Sequence, residues 1–313
     1  VIKLRILEEF TKKHESKIKD IKHMLYLFRR SFLSMMGLIL VLFVILVAIF
    51  APFLASQHPS FVEVTSERGT KRIEERWSIN FEEKLLPPSP KHLFGTDDYG
   101  RDIFSMVVYG ARTSLKICLL VVVISTIIGV ILGGIAGYFG GKIDEVIMRI
   151  TDIFLSIPGL ILALAVASAL GRSIEHVMEA LIFVWWPPYA RIIRGQILSV
   201  RENQYVEAAR SIGASSWRVL FKHVIPNSFS PLLVQITLDL GAVLLVAAGL
   251  SFIGVGATPG TAEWGLMISS GRMHMFHAWW YVTFPGLAIF ITVLGFNLLG
   301  DGIRDVTDPR LRR

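Results

Sequence analysis

The stretch "QYVEAARSIGASSWRVLFKHVIPNS", residues 204–228, is charged, helix-prone and broken by one glycine, yet it lies between two segments as apolar as lipid. Tyr205, Val206, Ala209 and Ile212 recur at i, i+1, i+4 and i+7, which places one apolar stripe on a helix. Glu207 and Arg210 are three apart and can pair on the opposite face. Gly213 suits a left-handed stop, and Ser215 is a natural N-cap for a second helix. That helix carries Trp217, Val219, Leu220 and Phe221 until Pro226 ends it. The spacing therefore predicts two short helices joined by a tight elbow, over residues 203–224. A plain connector between helices needs only a handful of polar residues. This one is several times longer and internally structured, which points to docking, and the small Ala208–Ala209 pair would let a partner approach closely.

The chain around it has 313 residues, 53% of them hydrophobic and 18% charged, with a mean hydropathy of +0.56. Soluble domains carry about 25% charged residues, so lipid is the expected solvent. The one cysteine, Cys118, sits in an apolar run, so neither an internal disulfide nor a thiol metal site is expected. A helix needs about 20 apolar residues to cross a hydrocarbon core. Six segments qualify: 32–54, 115–138, 146–170, 177–198, 229–256 and 279–300. The first is too long for a signal-peptide core and reads as a retained anchor. Pro158, the Pro187–Pro188 pair and several glycines interrupt the third, fourth and fifth.

Lysine and arginine set the orientation. With both termini in the cytoplasm, the inner segments collect Lys142, Arg149, Arg191, Arg194, Arg201, Arg210, Arg218 and Lys222 besides the basic tails. The two short outer loops hold only Arg172 and Arg272. The net charge of +7 is thus a topology signal, and a nucleic-acid partner is not expected. The expected fold is an all-α, polytopic membrane protein with six transmembrane helices.

Three regions lie outside the lipid. The cytoplasmic N-terminal arm, 1–31, places Ile18, Ile21, Leu25 and Phe28 on one face, with Lys17, Lys19, Lys22 and His23 elsewhere, as in a basic amphipathic helix on the inner surface. The outer loop, 55–112, alternates at "FVEV", turns at "ERGT" and resumes at "RIEERW", which predicts a small hairpin cap. The elbow is the third. It belongs to a core domain, 113–303, that holds the other five spans, and a cytoplasmic tail, 304–313, follows.

In lipid, helices associate through small residues. Gly129, Gly133 and Gly137 form such a ridge on the second span, a helix-packing face. The fifth span, with Gly241, Ala242, Ala247, Ala248, Gly249, Ser251 and Gly254, is expected to line a path and face a partner. Asp239 is the carboxylate well inside a span, accompanied by Gln235 and Thr237, and an ionised group there should face water or a polar partner. Gln235, Asp239 and Gly241 are the candidate path residues. Pro187–Pro188 should kink the fourth span.

Other signals carry less. Met273, His274, Met275 and His277 are soft or imidazole ligands, but Trp279–Trp280 follow directly and mark an interfacial belt, so no metal is expected. Asp97, Asp98 and Asp102 surround Arg101 and lack calcium-loop spacing; a salt-bridged brace is expected. No G-x-x-x-x-G-K-[ST] phosphate loop occurs, and neither H-E-x-x-H nor G-x-S-x-G appears. Hence no catalytic residue is assigned, which disfavours an intramembrane enzyme; a passive channel is the other rival.

"EAARSIGASSWRVLFKHVIP" resembles the EAA signature of ATP-binding-cassette importer permeases: Glu-Ala-Ala, three residues, glycine, then proline thirteen positions on. His223 departs from the isoleucine usual in the broad family. "LFGTDDYGRDIFSMVVYGARTSL", "GYFGGKIDEVIMRITDIFLSIPGL", "GLSFIGVGATPGTAEWGLMISSGR" and "FPGLAIFITVLGFNLLGDGIRDVTDPRLR" narrow the resemblance to the second permease subunit of dipeptide, oligopeptide and nickel importers, from about Pro87 onward. The resemblance implies a type I importer fold in the cell inner membrane, with the elbow as a coupling helix through Glu207, Ala208, Ala209, Gly213, Ala214, Trp217 and Pro226. It implies a homologous permease, two cytoplasmic ATPases and an external solute-binding protein as partners. ATP and magnesium would be used by those partners, with no cofactor on this chain. The family often has an acidic residue near Ala247, eight residues beyond Asp239, so a carried-over role does not extend to Asp239.

Overall fold

The computed structural model describes residues 26–65 and 71–307. The amphipathic arm proposed around Ile18–Leu25, the hairpin turn at 66–70 and the end of the C-terminal tail lie outside the described residues.

Helix α1 is Phe32–Ile49, capped by Ser31, whose hydroxyl accepts the Ser34 amide. It stops at Phe50, and one further turn, Ala51–Leu54, carries Pro52 at its start. The expected hairpin is present: β1, Ser60–Thr65, pairs antiparallel with β2, Lys71–Arg76, Ser60 opposite Arg76. Helix α2 runs Ile103–Phe139, 37 residues or about 55 Å, so it extends far beyond the expected 115–138. Its N-terminal overhang exists because Asp102 caps it, accepting the Ser105 amide at 2.8 Å.

The third expected span, 146–170, is not one straight helix. It divides into α3, Gly141–Ser156, and α4, Gly159–Leu170, bent by 90°. Pro158 lacks an N–H and pushes the residue before it out of the helical region, and Ile157 is extended at φ −99°, ψ 132°. Helix α5, Ile174–Val200, passes through Pro187 and Pro188 as one element. Helix α6 is Gln204–Ser211, α7 is Ser230–Ile253, α8 is the short Trp264–Gly271, and α9 is Trp280–Thr307.

Helices α1, α2, α7 and α9 are long and apolar enough to cross a bilayer, and the bent α3–α4 pair would make a fifth crossing. Helix α5 has the length, but it carries Glu175, Glu179, Arg191 and Arg194. Its Leu181, Tyr189, Ala190, Ile193 and Ile197 are fully buried, so protein rather than lipid covers that face.

Helix α2 packs most extensively on α5, α7 lies against both α2 and α9, and α1 lies along α9. Glycines set the closest approaches. A Cβ on Gly129 would stand 2.5 Å from the Tyr189 Cβ, and one on Gly133 would stand 2.1 Å from the Ala190 carbonyl oxygen. A second zipper joins α1 to α9, where a Cβ on Gly37 would meet the Leu299 amide at 2.5 Å.

The end of the bundle bearing the hairpin is fastened by a polar brace. Asp97 accepts Arg101 Nε at 2.6 Å and the Tyr99 and Arg101 amides at 2.9 Å each. Burial pushes the Asp97 carboxyl above its ordinary range, and the Arg101 charge opposes that. Tyr281 donates to Asp98 at 3.0 Å, and Trp280 donates to the Thr96 carbonyl at 3.2 Å. The expected salt bridge around Arg101 is present, and beyond that expectation the acidic turn ties the start of α2 to the start of α9. Asp97→Asn should lower stability by about 2 kcal/mol, because a hydrogen bond to a charged group is worth about 1.5–3 kcal/mol. Thermal unfolding in detergent checks this.

Candidate functional site

The elbow lies at the opposite end from the brace. Asn203 precedes α6, and its backbone carbonyl accepts the Val206 and Glu207 amides. Val206 is fully buried and Ala209 nearly so, but Tyr205 is exposed and Ile212 is 85% exposed. The proposed stripe is therefore corrected to Val206 and Ala209 alone. Tyr205 lies one residue off that face, and Ile212 falls in the turn beyond the helix.

That turn is a Schellman motif. Gly213 has φ +80°; its amide donates to the Arg210 carbonyl at 2.9 Å, and the Ala214 amide donates to the Ala209 carbonyl at 3.2 Å. Glycine is needed because side-chain-bearing residues are strained at that φ. The Glu207–Arg210 pair does not form among the described residues. Arg210 instead places its guanidinium 5.1 Å from the centre of the Tyr138 ring. The aromatic face at the end of α2 outcompetes a solvated carboxylate.

Ser215 occupies the N-cap position, but its hydroxyl makes no cap bond. The second limb runs through Ser216–Val219, a π turn at Leu220–Val224 and a last turn, Ile225–Asn227. Pro226 sits inside that last turn, and the limb ends one residue later. The Asn227 side-chain amide donates to the His223 carbonyl at 2.5 Å, and the Ser228 hydroxyl donates to that of Val224 at 2.9 Å.

The elbow is clamped to the last turn of α2. Arg201 donates to the Gly137 carbonyl at 2.9 Å. Trp217 lies 5.1 Å from Phe139, centroid to centroid, and stacks on Phe221. Glu207, Ala208, Gly213, Trp217 and Pro226 of the elbow are exposed, Ala209 is buried and Ala214 is half-buried. A rigid surface of mixed apolar and charged groups, attached to α2 on one side and continuous with α7 on the other, can accept a partner and pass on its movement.

The three path candidates do not share a face. Gln235 donates to Asp239 at 2.9 Å, one turn apart on α7, and Asp239 is 7% exposed. Gly241 faces the other way, toward Val293 and Asn297 of α9. Gln235 also lines an open cavity of about 280 Å³ with Leu155, Pro188, Arg191 and Ile192. Arg191 of this lining pairs with Asp152 of α3, and Arg194 pairs with Asp144; sequence reasoning did not single out these charged groups as a site. The signal was available: basic and acidic residues inside helices that must be shielded from lipid. Among the described residues, no group of three or more His, Cys, Asp or Glu could hold a metal ion. His274 stacks on Tyr281.

Residues 129–313 match the family described as binding-protein-dependent transport system inner membrane component. Residues 21–88 match the N-terminal TM domain of oligopeptide transport permease C. The chain is 44% identical to a probable D,D-dipeptide transport system permease protein of Escherichia coli, covering 92% of this chain and 91% of that one. It is 42% identical to a dipeptide transport system permease protein of Alkalihalophilus pseudofirmus, over 91% and 88%. Identity to a glutathione transport system permease protein of Pectobacterium atrosepticum is 44%, over 72% and 75%. Among solved structures, the inward-facing MetNI methionine ABC transporter superposes with a TM-score of 0.53 at 20% identity, covering 66% of this chain and 98% of that one; this likeness concerns the fold.

Proposed function

Because this chain belongs to the family of binding-protein-dependent transport system inner membrane components, we propose that it carries di- and oligopeptides inward by alternating access, as one half of a permease heterodimer. It is a membrane permease, not an enzyme. Two cytoplasmic ATP-binding subunits, using ATP and magnesium, would seat the elbow, and an external binding protein would deliver the solute to the end bearing the hairpin. Both termini and the elbow would then be cytoplasmic.

The observation that carries this reading is the elbow itself. A Schellman-locked turn is clamped to the end of α2 and leads directly into α7, while its outer surface is exposed among the described residues. A push on that surface therefore reaches two membrane helices at once. Peptide cargo is favoured by the relatives, whose names give dipeptides and glutathione as what they transport.

Reconstitution of the chain with its partner permease, ATPases and binding protein into liposomes tests this. Uptake from a mixed dipeptide library should require both ATP and the binding protein, and deletion of residues 207–213 should abolish it. Flux that survives without ATP, or after the deletion, would mean a passive channel. Uptake of oligosaccharide or nickel instead of peptide would move the cargo while leaving the machinery.

A further inference from the structure

Arg191 on α5 meets Asp152 on α3 through a single contact, Nη2 to Oδ1 at 2.5 Å, with side chains 55% and 54% exposed. One turn further along α5, Arg194 grips Asp144 through two bonds of 2.5 and 2.6 Å and is much less exposed. The bidentate pair already fastens α3 to α5, so the exposed pair is not needed as a brace.

Its position makes its exposure significant. Arg191 is nine residues from the Val200 end of α5, about 14 Å along the helix. Although α5 is not apolar enough to count as a span by itself, it is packed among helices that are, and a charged side chain in such a bundle is costly unless it faces water or a polar partner, where it marks pathways for polar solutes. Arg191 also lines the open cavity whose wall includes Gln235, and Leu155 of the same wall lies three residues beyond Asp152. One concave surface therefore brings together a cation, a primary amide and an apolar floor of Leu155, Pro188 and Ile192, and the carboxylate of Asp152 is paired to that cation.

We propose that this cavity is a station on the solute path that reads the two charged ends of a free peptide. Arg191 takes the carboxylate and Asp152 takes the ammonium, each exchanging its present partner for the solute. This rests on the peptide reading above. The guanidinium fork matches a carboxylate in two parallel bonds, whereas Asp152 occupies only one of its nitrogens. With no solute present, the two side chains neutralise each other, so neither charge is left bare. Exchanging one ion pair for two of the same kind gives modest net affinity, which suits a site that must also release its occupant.

Uptake of the dipeptide library by the wild-type complex comes first, since its absence would overturn the peptide reading rather than this site. Two double variants follow, compared at equal amounts of assembled complex. Arg191→Gln with Asp152→Asn removes both charges and leaves no orphan, and Arg191→Asp with Asp152→Arg exchanges them. Each should lower uptake about tenfold or more, the loss expected when a hydrogen-bonded charge contact is removed. Near-normal uptake in both would make the pair a brace and overturn the proposal. A measurement on unaltered protein guards against assembly failure. Free dipeptides should protect Arg191 from phenylglyoxal modification, read by peptide mass, and dipeptide amides should not. Equal protection by both, or none, would also overturn it.

Discussion

Gly213→Val should leave the permease in the membrane at wild-type levels and cut uptake per ATP hydrolysed by about tenfold, since a defect of about 1.4 kcal/mol corresponds to that factor. Nothing lies within 4 Å of a Cβ placed at this glycine, so the change introduces no clash. The penalty comes from the backbone: φ is +80°, where a residue with a side chain costs about 1–2 kcal/mol. The chain can relieve that strain only by opening the Schellman turn, which changes the angle between α6 and the limb leading into α7. Gly213→Asn, which tolerates left-handed backbone better, should retain most of the coupling. The ratio of ATP hydrolysed to peptide imported in proteoliposomes is the relevant reading. Normal uptake in the valine variant would count against a rigid elbow.

Gly133→Ala should cost above about 3 kcal/mol of stability, beyond the usual cost of overpacking. The added methyl would stand 2.1 Å from the Ala190 carbonyl oxygen and 2.5 Å from Ile193. Backbone cannot turn aside as a side chain can, so α2 and α5 must separate. The same change at Gly137, where the nearest atom is 3.0 Å away, should cost less, and at Gly286, with nothing within 4 Å, almost nothing. Unfolding midpoints of the three variants in detergent should follow that order. Equal midpoints would remove the glycine ridge as the seat of the α2–α5 contact.

The parts of this fold that are legible in the sequence rest on short-range chemistry. Gly213 demanded a left-handed turn, and the acidic turn around Arg101 called for an ion pair. The strands at Ser60 and Lys71 alternated, and long apolar runs required lipid. Pro158 was recognised as an interruption, but the 90° turn at it was not, because the direction in which a freed segment leaves depends on what it packs against. The Tyr205–Ile212 stripe failed for a similar reason. Periodicity orients a helix only if its face is covered along its full length, and α6 is covered at Val206 and Ala209 alone. Arg210 went to Tyr138, 72 residues away in sequence, a competition that local spacing does not display. The α1–α9 glycine zipper was missed because Gly37, Gly295 and Gly302 contribute to it from two distant segments. The charges of Arg191 and Asp152 were visible in the sequence, but their pairing was not, since the two residues lie 39 apart on different helices.

The proposed seat of the elbow is a socket on a separate nucleotide-hydrolysing subunit, and a single exposed thiol can report whether it is there. Cys118 is the chain's one cysteine and is fully buried. Ile212 is 85% exposed at the tip of the elbow, so Ile212→Cys creates a unique reactive site. In inverted membrane vesicles holding the assembled complex, a short bifunctional maleimide should join position 212 to the ATP-binding subunit, with a yield that changes on adding ATP. A thiol that joins nothing, or that an impermeant reagent labels from the outer face of intact cells, would contradict the account.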